Sequence, residues 1–211
     1  MTTAPMDLPE AFESERLLLR TPRPGDGAVA NAAILESIAE LQPWLPWADP
    51  APTVEQTEEF ARKSYVEFLS RKNFALFLFL KNTGEFAGGG GLHPRDWTVP
   101  RFEIGYWRRT RCRERGLMRE AVLTITRFAF EYLGALRLEI HCDARNYPSA
   151  CVALGAGYRL EGRLRQDTRR SDGTLRDTLI YGRIPEDAVP GAEPPLEVAA
   201  SEDGEDRRSC R

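Results

Sequence analysis

One stretch limits the possible folds more than any other. An alternating strand, Arg101 to Arg108, runs through an arginine-rich loop into an amphipathic helix, Gly116 to Leu133. In the strand Phe102, Ile104 and Tyr106 fall on one side, as a period of two requires. In the helix Leu117, Ala121, Val122, Ile125, Phe128, Ala129 and Tyr132 recur at three- and four-residue steps, and Gly134 ends it. A second alternating run follows, Leu136, Leu138, Ile140 and Cys142, with Arg137, Glu139 and His141 on its other face. A strand, helix, strand order of this kind calls for a sheet with helices packed against it.

The flanking sequence extends the pattern. Arg16 to Thr21 reads as a short strand, and Asp26 as the N-cap of a helix through Ala28 to Ile38. Trp44-Leu45-Pro46-Trp47 is a stiff aromatic loop. Thr53 caps a longer helix with Gln56 three residues on, the reciprocal capping pattern. Val54, Phe60, Ala61, Val66, Phe68 and Leu69 give that helix a loosely apolar face. Strands Phe74 to Lys81 and Glu85 to Gly91 flank Asn82-Thr83-Gly84, a hairpin signal. A helix over Pro148 to Gly155 and strands near Tyr158 to Arg165 and Thr174 to Arg183 complete the order. The expectation is a mixed α/β sheet of about seven strands.

Bulk properties narrow the function classes. A chain of 211 residues suits one domain, and its 42% hydrophobic and 29% charged content is ordinary for a globular protein. No apolar run approaches the roughly 20 residues that span a bilayer. Met1 to Glu10 has no signal-peptide pattern, so a cytoplasmic location is expected. Cys112, Cys142, Cys151 and Cys210, with His93 and His141, have no metal-ligand spacing, so no metal is expected. Residues 188–211 hold six acids against three arginines, with three prolines and no aromatic, and read as an acidic disordered tail.

Arg111-Cys112-Arg113-Glu114-Arg115-Gly116-Leu117-Met118 lies between strand and helix. A helix start presents backbone N–H groups without intrahelical partners and the positive end of the macrodipole, which together bind phosphate. Gly116 allows amides to converge there without a Cβ. Arginines at 108, 109, 111, 113, 115 and 119 raise the local positive field, offset in part by Glu114 and Glu120. Gly88-Gly89-Gly90-Gly91 invites a dinucleotide reading, but it runs into Leu92-His93-Pro94 and no helix, so that mechanism is absent. Close backbone packing or a bulge suits it better.

These residues carry a resemblance. Arg113 to Met118 resembles the acetyl-CoA signature of the GNAT N-acetyltransferases, [Gln or Arg]-x-x-Gly-x-[Gly or Ala], departing at Met118. Glu103 to Trp107, Asn146, Ser149-Ala150, Gly157 to Gly162, Asp177 and Trp44 to Trp47 are similar to the RimJ/RimL-type branch. The resemblance covers about residues 10 to 185 and implies a GNAT fold. That fold has a mostly antiparallel sheet with splayed central strands that admit pantetheine, and helices on both faces. Residues 1–10 would be an extension and 11–187 the acetyltransferase domain. By the same resemblance the amides of Arg113, Glu114, Arg115, Gly116, Leu117 and Met118 cradle the pyrophosphate of acetyl-CoA, the co-substrate. Asn146 would bind the cofactor or an ordered water.

The implied reaction is direct attack of a primary amine in a ternary complex. Such an amine must lose a proton, which a placed base supplies, and the departing thiolate must gain one. The resemblance puts the usual acid tyrosine at Ala153, leaving that role open. Ser149 and Cys142 are candidate substitutes, since RimL-type relatives carry a cysteine at the place of Cys142. Glu103 and His141 are candidate bases, with Asp167 near a third, and Tyr106 and Trp44 candidate walls of the acceptor cleft. The acceptor implied is a protein N-terminus, such as that of a ribosomal protein. An amino acid, polyamine or antibiotic stays open, as does a monomer or a homodimer. Two other readings compete: a catalytically silent acyl-CoA sensor or scaffold, and a nucleic-acid module using the arginines. A chain of net charge -3 gives the last little nonspecific attraction to phosphate.

Overall fold

A computed structural model describes residues 8–113, 116–170, 173–187 and 197–198. The elements are β1 (Ala11–Glu13), β2 (Leu17–Arg20), α1 (Gly27–Leu41), α2 (Val54–Leu69), β3 (Phe74–Leu80), β4 (Phe86–Asp96) and β5 (Arg101–Arg108). After these come α3 (Leu117–Tyr132), β6 (Arg137–Asp143), α4 (Tyr147–Gly155), β7 (Arg159–Arg169), β8 (Leu175–Arg183) and the two-residue β9 (Glu197–Val198). They form one sheet in the order β7-β8-β6-β5-β4-β3-β2-β1-β9. All neighbouring strands are antiparallel except β5 and β6. The seven strands read from the sequence are present. β1 and β9 are additional, and three or two residues carry no periodicity by which to find them. Of the expected acidic tail only β9 is described, pairing with β1 at the sheet edge.

Alternation along β3 shows the layering. Leu76, Leu78 and Leu80 join the large core with α3, while Phe77 packs with Ala30 and Ala33 of α1 and Ala61 of α2. Helix α3 buries its predicted stripe as far as Ala129, with Tyr132 half-buried, together with Met118, Thr124 and Thr126. The two threonines are satisfied: Thr124 donates to the Glu120 carbonyl at 2.8 Å, and Thr126 shares a 2.7 Å bond with the Tyr158 hydroxyl.

Three local expectations change. The buried face of α2 is Thr57, Ala61, Ser64 and Phe68, leaving Val54, Phe60, Val66 and Leu69 exposed. Thr57 can be buried because its hydroxyl donates to the Thr53 carbonyl at 2.9 Å and accepts from Asn31 at 3.0 Å. Asp26 sits at the start of α1 without capping it, because its carboxylate grips Arg20 through two 2.7 Å bonds. Glu58 of α2 accepts from the Gly25 and Gly27 amides instead, and these bonds hold its carboxyl below the usual range. Leu136 lies before β6 and is exposed. The Thr53–Gln56 capping box is present in both directions.

The glycine run lies inside β4, between β3 and β5. A Cβ at Gly91 would stand 2.6 Å from the Phe74 carbonyl oxygen, and one at Gly89 would stand 2.7 Å from the Trp107 indole nitrogen. The register also shifts at Leu78/Phe79, next to Gly88. Close packing and a bulge both account for the run.

The register of β5 positions the site. β4 pairs with β5 as far as Arg108, and β8 pairs with β6 as far as Asp143. Between β5 and β6 the pairs stop at Glu103 and Glu139. Beyond that point the central strands splay, so backbone groups of residues 104–108 face a gap.

Candidate active site

Gly116 is the N-cap of α3, with φ +81° in the left-handed region that favours glycine. Glu120 bonds back to the Gly116 carbonyl at 2.9 Å, so the amides of Leu117, Met118 and Arg119 precede the helical ladder and face outward. Met118 does not intrude on them, because its side chain is buried in the core. Glu114 and Arg115 lie outside the described residues. The Glu120 carboxylate is turned away from the helix start, accepting from the Ser14 hydroxyl at 2.6 Å and from the Arg16 amide at 2.7 Å. Burial opposes its ionisation, but the Ser14 and Arg16 bonds outweigh it and hold the carboxyl low.

Three arginines of the expected field are paired with acids. Arg109 and Arg111 both pair with Glu36, at 2.8 and 2.9 Å, and with Glu85, at 3.3 and 3.2 Å. Arg113 pairs with Glu40, and Arg119 donates to the Gly155 carbonyl at 2.6 Å. The Arg111 hydrogen bond, against burial and with help from Arg109, pulls Glu36 down to about 2. These pairs brace the loop against α1 and β4. With Arg109, Arg111 and Arg113 engaged, the helix amides supply the directed hydrogen bonds that an anion would meet here.

At the gap, β5 is tied to α4. The Tyr106 hydroxyl donates to the Ser149 carbonyl at 3.1 Å and lies 2.9 Å from the Ser149 hydroxyl. Burial drives the Tyr106 phenol well above its usual range, so it keeps its proton and serves as a donor. Cys142 ends the β6 side, and its thiol is raised by burial, with a Ser149 hydrogen bond partly opposing. It is therefore held as a neutral thiol. Asn146 caps α4 by accepting from the Ser149 amide at 3.2 Å, which fixes Ser149 beside Tyr106. Ala153 is buried without a hydroxyl.

The two candidate bases are side by side in an ion-pair row. His141 lies 3.5 Å from Glu103 through Nδ1 and 3.0 Å from Glu139 through Nε2. Glu103 is also held by Arg95, and Glu139 by Arg137 at 2.8 Å. Burial works to raise Glu139, but Arg137 and His141 outweigh it and the carboxyl lies below its ordinary value.

Above this row is a cavity of about 800 Å³. Trp44, Trp47, Phe60 and Trp107 give it aromatic walls, and Asp167, Thr168 and Arg176 close its far side. The β7–β8 hairpin is tied over it. Arg170 bonds Asp143 at 2.6 Å and lies 5.2 Å from the Trp44 ring, while Arg176 donates to the Trp44 carbonyl at 3.4 Å. A cavity of this size accepts a small peptide end. Among the described residues no three His, Cys, Asp or Glu side chains converge as a metal site would need.

Residues 16–159 match the family model of the acetyltransferase (GNAT) domain. The chain belongs to this family. YdaF of Bacillus subtilis (strain 168), whose name proposes a ribosomal N-acetyltransferase, is 24% identical over 175 residues, 81% of this chain and 92% of YdaF. Among solved structures, RimL, a ribosomal L7/L12 alpha-N-protein acetyltransferase in complex with coenzyme A, has a TM-score of 0.77 and 23% identity. It covers 83% of this chain and 98% of RimL, and its coenzyme A is joined to a cysteine by a disulfide. The ribosomal-protein-S5-alanine acetyltransferase from Vibrio fischeri has a TM-score of 0.74 at 19% identity, over 84% of this chain and 97% of that one.

In this GNAT acetyltransferase Cys142, Ser149, Asn146 and Tyr106 meet at the splay, and Glu103, His141 and Trp44 line the adjoining cavity. Sequence reading gave Tyr106 only a wall position. Its hydroxyl role depends on α4 folding back over β5, 43 residues away in sequence. Asp143 and Arg170 were also missed, and a lone Asp at a strand end gives no signal of such a partner.

Proposed function

We propose that this protein transfers the acetyl group of acetyl-CoA to the α-amine of a protein N-terminus, by direct attack in a ternary complex. The observation that carries this reading is the splay, which leads from the α3 amides past Tyr106 and Ser149 into an acid-lined cavity. Acetyl-CoA laid in it has its diphosphate on the amides at Gly116 to Met118 and its thioester beside Tyr106, Ser149 and Cys142. The amine enters from the cavity, where Glu103 attracts its positive charge and His141 steadies Glu103. Once neutral, its nitrogen lone pair forms the C–N bond as the C–S bond breaks. Ser149, backed by Tyr106, then gives a proton to the departing thiolate and regains one from the new amide nitrogen. Cys142 stays a thiol packed against Ser149, which suits a RimL complex whose coenzyme A sulfur met a cysteine.

An α-amine, with a pKa near 8, is neutral more readily than lysine near 10.4, which favours a chain terminus. The names of YdaF and RimL support a ribosomal protein as acceptor, and such an acceptor would place the enzyme in the cytoplasm. Peptides with free and blocked α-amines, each containing lysine, test this with acetyl-CoA by thiol release and mass. One acetyl on the free α-amine is expected. Tight acetyl-CoA binding with no thiol release from any peptide would instead support a silent sensor domain, the reading that Ala153 keeps open.

The proton-donor assignment has its own test. Ser149→Ala and Tyr106→Phe should each lower kcat by about 10²-fold, the usual worth of a placed acid. Acetyl-CoA affinity by calorimetry should stay within about two-fold, because neither side chain meets the diphosphate. Undiminished kcat in both variants would remove the assignment.

A further inference from the structure

His93 points into the same cavity and has no part in the row described above. It is on β4, directly opposite Glu103 of β5 in the register. Its Nδ1 lies 2.9 Å from the Asn73 side-chain oxygen. The Asn73 amide nitrogen faces the Glu67 carboxylate at 3.5 Å, which sets the amide with its oxygen toward the ring. An amide oxygen only accepts, so Nδ1 must carry the hydrogen, and in the neutral ring Nε2 then keeps its lone pair. That nitrogen stands over Gly105, where a Cβ would come within 3.2 Å of it. Gly105 lies just past the last β5–β6 pair, where the splay opens.

The titratable groups on the neighbouring strands are committed, and Asp167, the remaining carboxylate, lies on the far side of the cavity with the β7–β8 hairpin. Both His141 nitrogens face carboxylates, and Glu103 is held between Arg95 and His141. Among the described residues His93 makes no bond through Nε2.

We infer that His93 is the catalytic base, taking the proton from the incoming ammonium at Nε2, directly or through one water. Glu67 and Asn73 are positioning residues that fix its tautomer. This role rests on the amine-acetylation reading above. The step balances simply: one proton moves from the ammonium to His93, leaving a neutral amine and an imidazolium, which returns the proton to water in the cleft. Partial desolvation of the ring lowers its pKa, Glu103 opposes, Arg95 adds to the lowering, and Glu67 opposes. The net direction is downward, so the ring is neutral and able to accept at neutral pH.

The test uses the full chain, acetyl-CoA and a free-α-amine peptide. His93→Ala and His93→Gln should lose about 10²-fold or more in kcat/KM, with acetyl-CoA affinity retained. The wild-type pH profile should show an acidic limb below the ordinary histidine value, absent from both variants. Added imidazole should restore part of the His93→Ala rate, which a folding defect would not allow. Ring nitrogen NMR of the wild type, read without turnover, should show Nδ1 protonated and Nε2 bare at neutral pH. Asn73→Leu should weaken that tautomer preference. Wild-type kcat/KM in the His93 variants, or a protonated Nε2 at neutral pH, would overturn the role. A wild type that binds acetyl-CoA yet acetylates no amine would overturn the transfer reading and this role with it. An active wild type with active His93 variants would overturn this role alone.

Discussion

Gly116→Trp should weaken acetyl-CoA binding by about 10²-fold or more while leaving the fold intact. The fold survives because a side chain there has room: the nearest atom to a Cβ is Arg16 Nη2 at 3.8 Å. The backbone is the sensitive part. At φ +81° a non-glycine residue is strained, and relaxing that strain turns the first amides of α3 away from a common focus. Hydrogen bonds to a charged group contribute about 1.5–3 kcal/mol each, so losing one or two gives a loss of this order. The indole would also cover the amides. Glu36, Glu40 and Glu85 already pair with Arg109, Arg111 and Arg113, so those three arginines are poorly placed to make up the loss. Calorimetry with acetyl-CoA reads the effect, and thermal unfolding confirms that the variant is folded. Undisturbed affinity would move the diphosphate to another place.

The second large effect concerns stability. Gly88→Ala should lower the free energy of unfolding by about 3–5 kcal/mol, near the limit for a single substitution. The added Cβ would lie 2.3 Å from the Trp107 carbonyl oxygen and 3.0 Å from the Arg108 Cα, at φ +151°. Both neighbours are backbone atoms of β5, which cannot swing aside as a side chain does. Moving them would break the β4–β5 ladder beside the splay. Gly84→Ala is the control, with φ +69° and nothing within 4 Å of its Cβ. Strain alone acts there, about 1–2 kcal/mol. Denaturant midpoints of the two variants separate overlap from strain. Equal midpoints would mean that β5 yields at Trp107.

How much of this was legible in sequence depends on how local each cause is. Helix α3 was legible because its burial repeats within the helix, and the Thr53–Gln56 box because both partners are three residues apart. The buried face of α2 was not, since Thr57 and Ser64 count as polar in a hydrophobic pattern. Local bonds satisfy Thr57, and no pattern of hydropathy registers them. The arginine loop shows the same limit at long range. Its charges could be counted, but Glu36 meets Arg111 across 75 residues, and only the folded chain brings them together. The splay is a matter of register, set where β5 and β6 part, and family resemblance alone implied it. His93 was noted only for lacking metal-ligand spacing. Its tautomer follows from Asn73, 20 residues earlier, just before the strand whose first residue pairs with Leu92.

The most direct measurement is a crystal structure of the acetyl-CoA complex. The diphosphate should rest on the main-chain amides of Gly116 to Met118, with the pantetheine between β5 and β6. The thioester should lie within hydrogen-bonding reach of Ser149 or Tyr106 and open to His93 across the cavity. A cofactor lying outside the β5–β6 opening, with Tyr106 and Ser149 still bonded to each other and remote from its sulfur, would contradict the account.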